Sequence, residues 1–260
     1  SPLRPPVTLN SSILKMNLED SKMQYEKPSF EEIMSTVSTA SLSTQLVKRG
    51  FRNRSIPNIK AINSTANRLF GRAYTLRYIP MREDLATGPK MGQSSNPQRM
   101  AIEQAPEGSV LIADTHGLGT SGSFGDILVA RLIQRGVSGI VSDGPMRDIS
   151  EIKHMKLPVF ATGNAAPPSF ATMMAVDSQT PIGCGGVAVF PNDMIVGDDD
   201  GVVVVPQDLC NEVITHAYEQ DLLEAYIRTR VENGEAIDGL YPPSPKTLSE
   251  YEEFRKTDKQ

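Results

Sequence analysis

Four short runs rich in β-branched and aliphatic residues, at 73–79, 109–113, 139–142 and 158–161, alternate with helix-length segments at 126–135 and 148–155. Runs of that length, bounded by Gly, Pro, Asp and Ser, read as strands, and the intervening periodicity reads as helix. Strands that alternate with helices leave a chain few architectures, and the fold class expected here is α/β.

A second group of strands is expected at 186–190, 194–196 and 201–205. The turn sequences Pro191-Asn192-Asp193 and Gly197-Asp198-Asp199-Asp200-Gly201 join them. These links are too short for crossover helices, so this group predicts an antiparallel or mixed layer beside the first. Pro206 then opens a long amphipathic helix whose apolar positions Leu209, Val213, Ile214, Ala217, Leu222, Ala225 and Ile227 recur near helical spacing and end around Gly234.

The ends divide from this core. Residues 1–28 are rich in Ser, Pro and Lys without periodicity and read as an N-terminal arm. Ser29-Phe30-Glu31-Glu32 has capping-box spacing, which predicts a helix start there, with a second helix running from Ser41 to Gly50. One domain is expected over 29–234, with a polar tail at 235–260 that packs on a neighbour or stays loose. The aperiodic segment Met81 to Arg99 is long for a connection and is expected to act as a flap over a site.

Charge and composition narrow the partners. A net charge of −5 argues against nucleic acid, because phosphate binding needs clustered cations, and Lys48, Arg49, Arg52 and Arg54 read as solvated surface. No run approaches the length of apolar chain that spans a bilayer, and no secretory pattern occupies residues 1–14, so no membrane partner is expected. Cys184 and Cys210 form neither a disulfide framework nor a metal motif, which fits a reducing cytoplasm.

Chemistry concentrates in two loops. Gly117, Gly119, Gly122 and Gly125 precede a helix beginning at Asp126, and such a loop turns free N–H groups and a helix dipole toward an anion. It is not a P-loop, since no Lys occurs from Thr115 to Asp148. The match of 117–122 to a dinucleotide fingerprint is weak, which leaves nicotinamide binding a minor alternative. The strand at 139–142 feeds Asp143-Gly144-Pro145-Met146-Arg147-Asp148, and loops past the carboxyl ends of strands line the ligand crevice. Arg147 next to Asp148 sets a permanent cation with a planar donor fork beside a hard oxygen ligand, suited to a small 2-oxo acid chelating Mg²⁺ or Mn²⁺. Asp126 and Asp148 both stand at expected helix starts, so each also fits a plain N-cap worth about 1 kcal/mol.

These segments resemble the family of the regulator of ribonuclease activity A and the 4-hydroxy-4-methyl-2-oxoglutarate aldolases. The resemblance rests on Gly125-Asp126, Gly139 through Asp148, Pro158-Val159-Phe160, Cys184-Gly185-Gly186-Val187 and Asp199 through Pro206, with weaker similarity at 39–43 and 71–75. The family's aldolases are marked by an Asp, twenty intervening residues and Arg-Asp, and here Asp126 precedes Arg147-Asp148 by twenty residues. The resemblance implies a swivelling β/β/α three-layer domain with flanking helices, a homotrimer or homohexamer, and sites at subunit boundaries. It also implies a divalent-metal-dependent aldolase that cleaves a 4-hydroxy-2-oxo acid to pyruvate, with oxaloacetate decarboxylation on the side.

By position, Asp148 would bind the metal, Arg147 the oxo acid and its enolate, and Asp126 a metal-bound or proton-transfer water. Backbone N–H groups across Gly122, Ser123, Phe124, Gly125, Asp126 and Ile127 would hold the substrate carboxylate. His116 is a further candidate for touching substrate. Glu224, with Asp221 as rival, would be the acidic residue lent by a neighbouring subunit. Lys153, the nearest amine in sequence, reads as an exposed helix residue rather than a Schiff-base former. The alternatives are a non-catalytic regulator of a ribonuclease or helicase, and an isomerase or hydratase of small oxo acids such as 2-oxo-3-deoxy sugar acids.

Overall fold

The computed structural model describes residues 28–63, 68–85 and 92–257. All of the expected N-terminal arm except Pro28, and residues 86–91 of the expected flap, therefore lie outside the described residues. Helices α1 (Phe30–Thr36) and α2 (Thr39–Lys48) come first, followed by β1 (Ser55–Ile56), β2 (Lys60–Ala61), β3 (Leu69–Pro80), α3 (Pro97–Gln104), β4 (Val110–Asp114) and α4 (Asp126–Gln134). Then come β5 (Gly139–Ser142), α5 (Ile149–Ile152), β6 (Val159–Ala161), β7 (Met173–Ser178), β8 (Met194–Asp198), β9 (Gly201–Val205), α6 (Cys210–Glu232) and α7 (Pro245–Thr257).

The strands form two layers that share β3. Its first four residues pair antiparallel with β8, which pairs with β9, which pairs with β1. Its later residues pair parallel with β4, and β4, β5 and β6 continue in parallel, with β7 antiparallel on the other side of β3 and β2 closing the far edge. A single long strand can serve both layers because strands twist and coil.

Alternation along the strands assigns each face. Val110 and Ile112 of β4 and Val202 and Val204 of β9 meet between the two layers around Phe160. Leu111 and Ala113 point the other way, into a core with Ile102, Val129, Leu132 and Ile152 from α3, α4 and α5. Val203 and Val205 turn outward from β9 onto Leu42, Leu46, Val213 and Ile214 of α2 and α6. The domain is therefore two β layers and one α layer, with α1, α2 and α6 flanking the antiparallel layer. Each fully buried aliphatic side chain contributes roughly 1.5–3 kcal/mol to holding these layers together.

Local signals explain the starts of the flanking helices. Ser29 Oγ accepts from the Glu32 N–H at 3.2 Å while Glu32 Oε2 accepts from the Ser29 N–H at 2.7 Å, a closed capping box. Ser38 caps α2, and Asp221 of α6 accepts from the Ser38 N–H, the Ser38 hydroxyl and the Ser41 hydroxyl, which fastens the two helices together.

Two elements differ from expectation. The segment at 186–190 is no strand. A 3₁₀ turn at Cys184–Gly186, with Gly185 and Gly186 at positive φ, leaves only an isolated bridge from Val189 to Ile182. The tail also folds: α7 lies against α6, with Tyr226 stacked near Tyr251 and Phe254 at centroid distances of 5.3 and 5.0 Å. Arg255 pairs with Glu219 at 2.6 Å, and Arg230 bridges Glu235 and Glu250.

Candidate active site

The carboxyl ends of the parallel strands carry both chemistry-bearing loops. The chain after β5 turns through Pro145 and Met146, and the glycine-rich loop runs beside it. Ser123 N–H donates to Pro145 O at 2.8 Å, Arg147 N–H donates to Phe124 O at 2.9 Å, and the Ser123 hydroxyl also reaches Pro145 O at 3.0 Å. Gly122 N–H donates to Pro167 O at 2.9 Å, which ties in the segment after β6. The two loops are thus laced backbone to backbone, and a cavity of about 270 Å³ opens between them. Its wall includes Gln98, Arg99, Gly122, Phe124, Arg147 and Phe170.

Two glycines make the close packing possible. A Cβ on Gly122 would fall 2.1 Å from Arg147 Cγ, 2.9 Å from Arg147 N and 3.0 Å from the Met146 carbonyl carbon. The Arg147 stem therefore lies directly on the Gly122 backbone. A Cβ on Gly125 would fall 2.5 Å from Asp148 Oδ2.

Neither carboxylate is a helix cap. The N-cap of α4 is Gly125, which has no side chain to offer, and Asp126 is the first helical residue. Asp126 Oδ1 accepts only from the next N–H, that of Ile127, at 2.8 Å. Asp148 occupies the N-cap position of α5 but makes no side-chain cap bond and sits in the left-handed region at φ 55. Such a conformation costs on the order of 1–3 kcal/mol for a non-Gly residue, somewhat less for Asp, so stability does not account for this residue. Its carboxylate leans over the start of α4, where Oδ2 accepts weakly from the Asp126 N–H at 3.4 Å. Asp148 is exposed and Arg147 half-buried, and among the described residues neither has an ion-pair partner.

The structure corrects the expectation that the whole 122–127 backbone faces an anion. The N–H groups of Gly122 and Ser123 are spent on Pro167 and Pro145, and that of Ile127 on Asp126. Among the described residues, the N–H groups left without an acceptor in this stretch are those of Phe124 and Gly125. Gln98 explains how they are aimed. Its amide donates to Ser123 O at 2.8 Å and to the Tyr78 hydroxyl at 2.7 Å, holding the carbonyl of the Ser123–Phe124 peptide inward, so the Phe124 N–H faces the opposite way. Burial of Tyr78 pushes its hydroxyl well above the ordinary phenol range, so it serves Gln98 as a neutral partner.

The remaining candidates lie elsewhere. His116 is exposed, at φ 57, and lines a separate cleft of about 390 Å³ with Asp114 and Asp143. That larger cleft offers little free chemistry. Asp143 accepts from the Thr115 N–H and hydroxyl and the Gly185 N–H, and Asp114 accepts from the N–H groups of His116 and Gly183. Its two buried carboxylates are loop anchors. Cys184 beside them is no ready nucleophile, since burial, with Asp143 and Asp114 nearby, pushes its thiol up. Ile127 is 76% exposed, Lys153 is exposed at the end of α5, and Glu224 on α6 accepts from the Gln220 amide at 2.8 Å. Asp221 is engaged with α2 within its own chain, which leaves Glu224 the freer of that pair.

The contact at Gly125 gives a test that separates function from folding. Gly125→Ala should leave stability within about 0.5 kcal/mol, because the displaced atom is the far end of an exposed side chain. It should also shift the Asp148 carboxylate and lower any activity that depends on it by about 10²-fold. Thermal melts and turnover of the same preparation check both halves.

Among curated proteins, the chain is 30% identical over 175 residues to Protein DlpA of Legionella pneumophila, covering 67% of this chain and 27% of that one. It is 36% identical over 117 residues to a Halalkalibacterium halodurans protein provisionally named a 4-hydroxy-4-methyl-2-oxoglutarate aldolase, covering 45% of this chain and 55% of that one. The chain therefore spans about a quarter of the first relative's length and about half of the second's. Among solved structures it superposes with a TM-score of 0.67 on Streptomyces coelicolor RraAS2, described as an unusual member of the RNase ES inhibitor RraA family, at 29% identity over 78% of this chain and 98% of that one. An uncharacterized protein of Pseudomonas syringae pv. tomato superposes at 0.69, with 26% identity over 83% of this chain and all of the other. The family model described as RraA-like, Aldolase/RraA, matches residues 39–204, from the start of α2 nearly to the end of β9, and the chain belongs to that family.

Proposed function

We propose that the chain is a divalent-metal-dependent lyase that forms and holds the enolate of pyruvate, cleaving a 4-hydroxy-2-oxo acid and decarboxylating oxaloacetate by the same intermediate. The observation that carries this reading is the meeting of three unlike groups at the glycine-rich loop that walls the cavity. A guanidinium with no carboxylate partner, two adjacent N–H groups without acceptors, and an uncapped carboxylate all stand around the Gly122–Gly125 loop.

Asp148 is the residue that would hold Mg²⁺ or Mn²⁺. A lone exposed carboxylate that caps no helix suits a cation that keeps its waters and takes one or two carboxylates plus substrate. It does not suit zinc, which asks for three or four nitrogen and sulfur ligands. A bound divalent ion would supply Lewis-acid polarisation of the 2-oxo acid.

The chain's own groups do the rest. The Phe124 and Gly125 N–H groups would bind the substrate carboxylate, and Gln98 keeps the first of them aimed. Arg147 would place its donor fork on the 2-oxo oxygen as charge grows there, in a position set before reaction begins. Asp126, exposed enough to hold a water, would take the proton from the 4-hydroxyl through that water and return one to the enolate carbon. A homo-oligomer fits the exposed Ile127 and Phe170 beside the cavity, and Glu224 would serve a neighbouring subunit's site.

The test is pyruvate release from oxaloacetate and a panel of 4-hydroxy-2-oxo acids, with Mg²⁺ or Mn²⁺ and then with a chelator. Turnover above the metal-only blank that the chelator abolishes is expected. No turnover on any of them would favour a regulator that binds a ribonuclease or helicase, and such binding would survive loss of Asp148.

A further inference from the structure

Two buried serine hydroxyls, of Ser123 and Ser142, meet where the glycine-rich loop crosses the end of β5. Ser142 stands on the same strand face as Ile140, which lies in the core shared with the helices, so an apolar side chain is the ordinary occupant of its place. A hydroxyl taken into such surroundings costs free energy unless it is hydrogen-bonded, and both of these are. Their oxygens lie 3.0 Å apart. Ser123 Oγ is also 3.0 Å from Pro145 O and 3.6 Å from the Met146 sulfur, and Ser142 Oγ accepts from the Gly144 N–H at 3.2 Å. Among the described residues Ser142 has no other acceptor, so one assignment of the protons satisfies both hydroxyls. Ser142 donates to Ser123, and Ser123 donates to the Pro145 carbonyl, a stronger acceptor than a thioether.

The bonds therefore leave the turn after β5 at the Gly144 N–H, pass through Ser142 and Ser123, and return to the same turn at Pro145 O, each polarising the next. Ser123 precedes Phe124, whose N–H has no acceptor, and Pro145 stands two residues before Arg147. We infer that Ser123 and Ser142 are positioning residues, whose linked hydroxyls fix the gap between the Phe124 and Gly125 N–H groups and the Arg147 guanidinium. This inference rests on the lyase reading of that site and adds how its two halves are held in register. The fold does not depend on the hydroxyls, because the turn is fastened in other ways. Asp143 accepts from the Thr115 N–H and hydroxyl and from the Gly185 N–H, Met146 N–H donates to Gly163 O, and Arg147 N–H donates to Phe124 O. Loss of a hydroxyl loosens the register without opening the turn.

Ser142→Ala is the informative variant, because Ser142 does not line the cavity and reaches it through Ser123. Kinetics on oxaloacetate with Mg²⁺ are measured for the full chain, Ser142→Ala, Ser123→Ala and the double variant, each well below its melting midpoint. Each single variant should lower kcat by about tenfold, roughly the worth of one buried hydrogen bond, with KM within about twofold. The double variant should be about as slow as the slower single, since removing either hydroxyl breaks the same chain. Ser123→Cys keeps the volume and a weak donor, so it should recover part of the loss, and it carries the test if an alanine variant does not fold. Single variants with kcat within about twofold of wild type, a loss carried by KM, or losses that multiply to about a hundredfold in the double variant would overturn the assignment. A wild type that forms no pyruvate is instead the failure of the lyase reading, and the hydroxyl chain is then judged by amide exchange. Protection of the Arg147 N–H that falls about tenfold in Ser142→Ala supports it, and unchanged protection overturns it.

Discussion

Asp148→Asn is expected to remove metal-dependent pyruvate formation while leaving the fold intact. The substitution keeps a residue that tolerates the left-handed conformation at φ 55 and takes away only the charge. Nothing in the packing opposes it, since Asp148 is exposed and caps no helix. If this carboxylate is the protein's anchor for the divalent ion, its loss removes Lewis-acid stabilisation worth several kcal/mol, and ~4 kcal/mol corresponds to about 10³ in rate. The melting temperature should move by no more than about 2 °C, because surface changes away from caps and cores cost within about 0.5 kcal/mol. Initial rates on oxaloacetate across a metal titration, alongside a thermal melt, check both statements. Rates that recover fully at high metal would mean weakened binding alone rather than a lost catalytic arrangement.

Gly122→Ala is expected to cost both stability and activity. The added carbon meets the Arg147 stem at 2.1 Å and also two backbone atoms, at 2.9 and 3.0 Å. A side chain can swing away, but the backbone of 146–147 is pinned by the bond from Arg147 N–H to Phe124 O and by that from Met146 N–H to Gly163 O. Overpacking of this kind costs about 1–3 kcal/mol, and Arg147 must leave its place as well, so turnover should fall by about 10²-fold or more. Denaturant unfolding and kcat/KM on oxaloacetate read the two losses separately. The contrast with Gly125→Ala, whose new carbon meets only a movable carboxylate, is the sharper expectation. One glycine is needed for folding and function together, the other for function.

Much of this was legible in the sequence because hydrophobic alternation and turn chemistry are local. The runs at 109–113 and 139–142 read as strands, and β4 and β5 stand there, buried along their whole length. The turns at 191–193 and 197–201 ruled out crossovers, and the antiparallel layer formed by β8 and β9 follows. The capping box at Ser29 is closed as its spacing required. The family resemblance drew Asp126, Arg147 and Asp148 together, which spacing alone left open between caps and chemistry.

What stayed hidden depends on tertiary contacts. Strand β7 lies in a segment, 173–178, whose partner is β3, nearly a hundred residues earlier, and its own pattern is too mixed to declare it. The tail helix α7 looked loose because its apolar surface is small, and it is completed by Tyr226 of α6. The glycine-rich loop looked like a row of free donors, but Pro145 and Pro167, remote in sequence, consume two of them. Gln98 and Arg99 went unnoticed because they sit at the start of α3, at the end of an aperiodic segment, where no motif marks them. A Pro at the first helical position and Asn96 before it were the available signal that a helix begins there and turns its early residues toward the loops.

If this cavity holds an enolate of pyruvate, the pyruvate methyl protons exchange in D₂O, which proton NMR follows. This measurement needs no knowledge of the carbonyl product and asks only whether the protein removes and returns a proton next to the oxo group. The expected exchange requires Mg²⁺ or Mn²⁺, stops with a chelator, and is lost in Asp148→Asn and Arg147→Met. Exchange no faster than in metal-containing buffer alone, or equally fast in both variants, would contradict it.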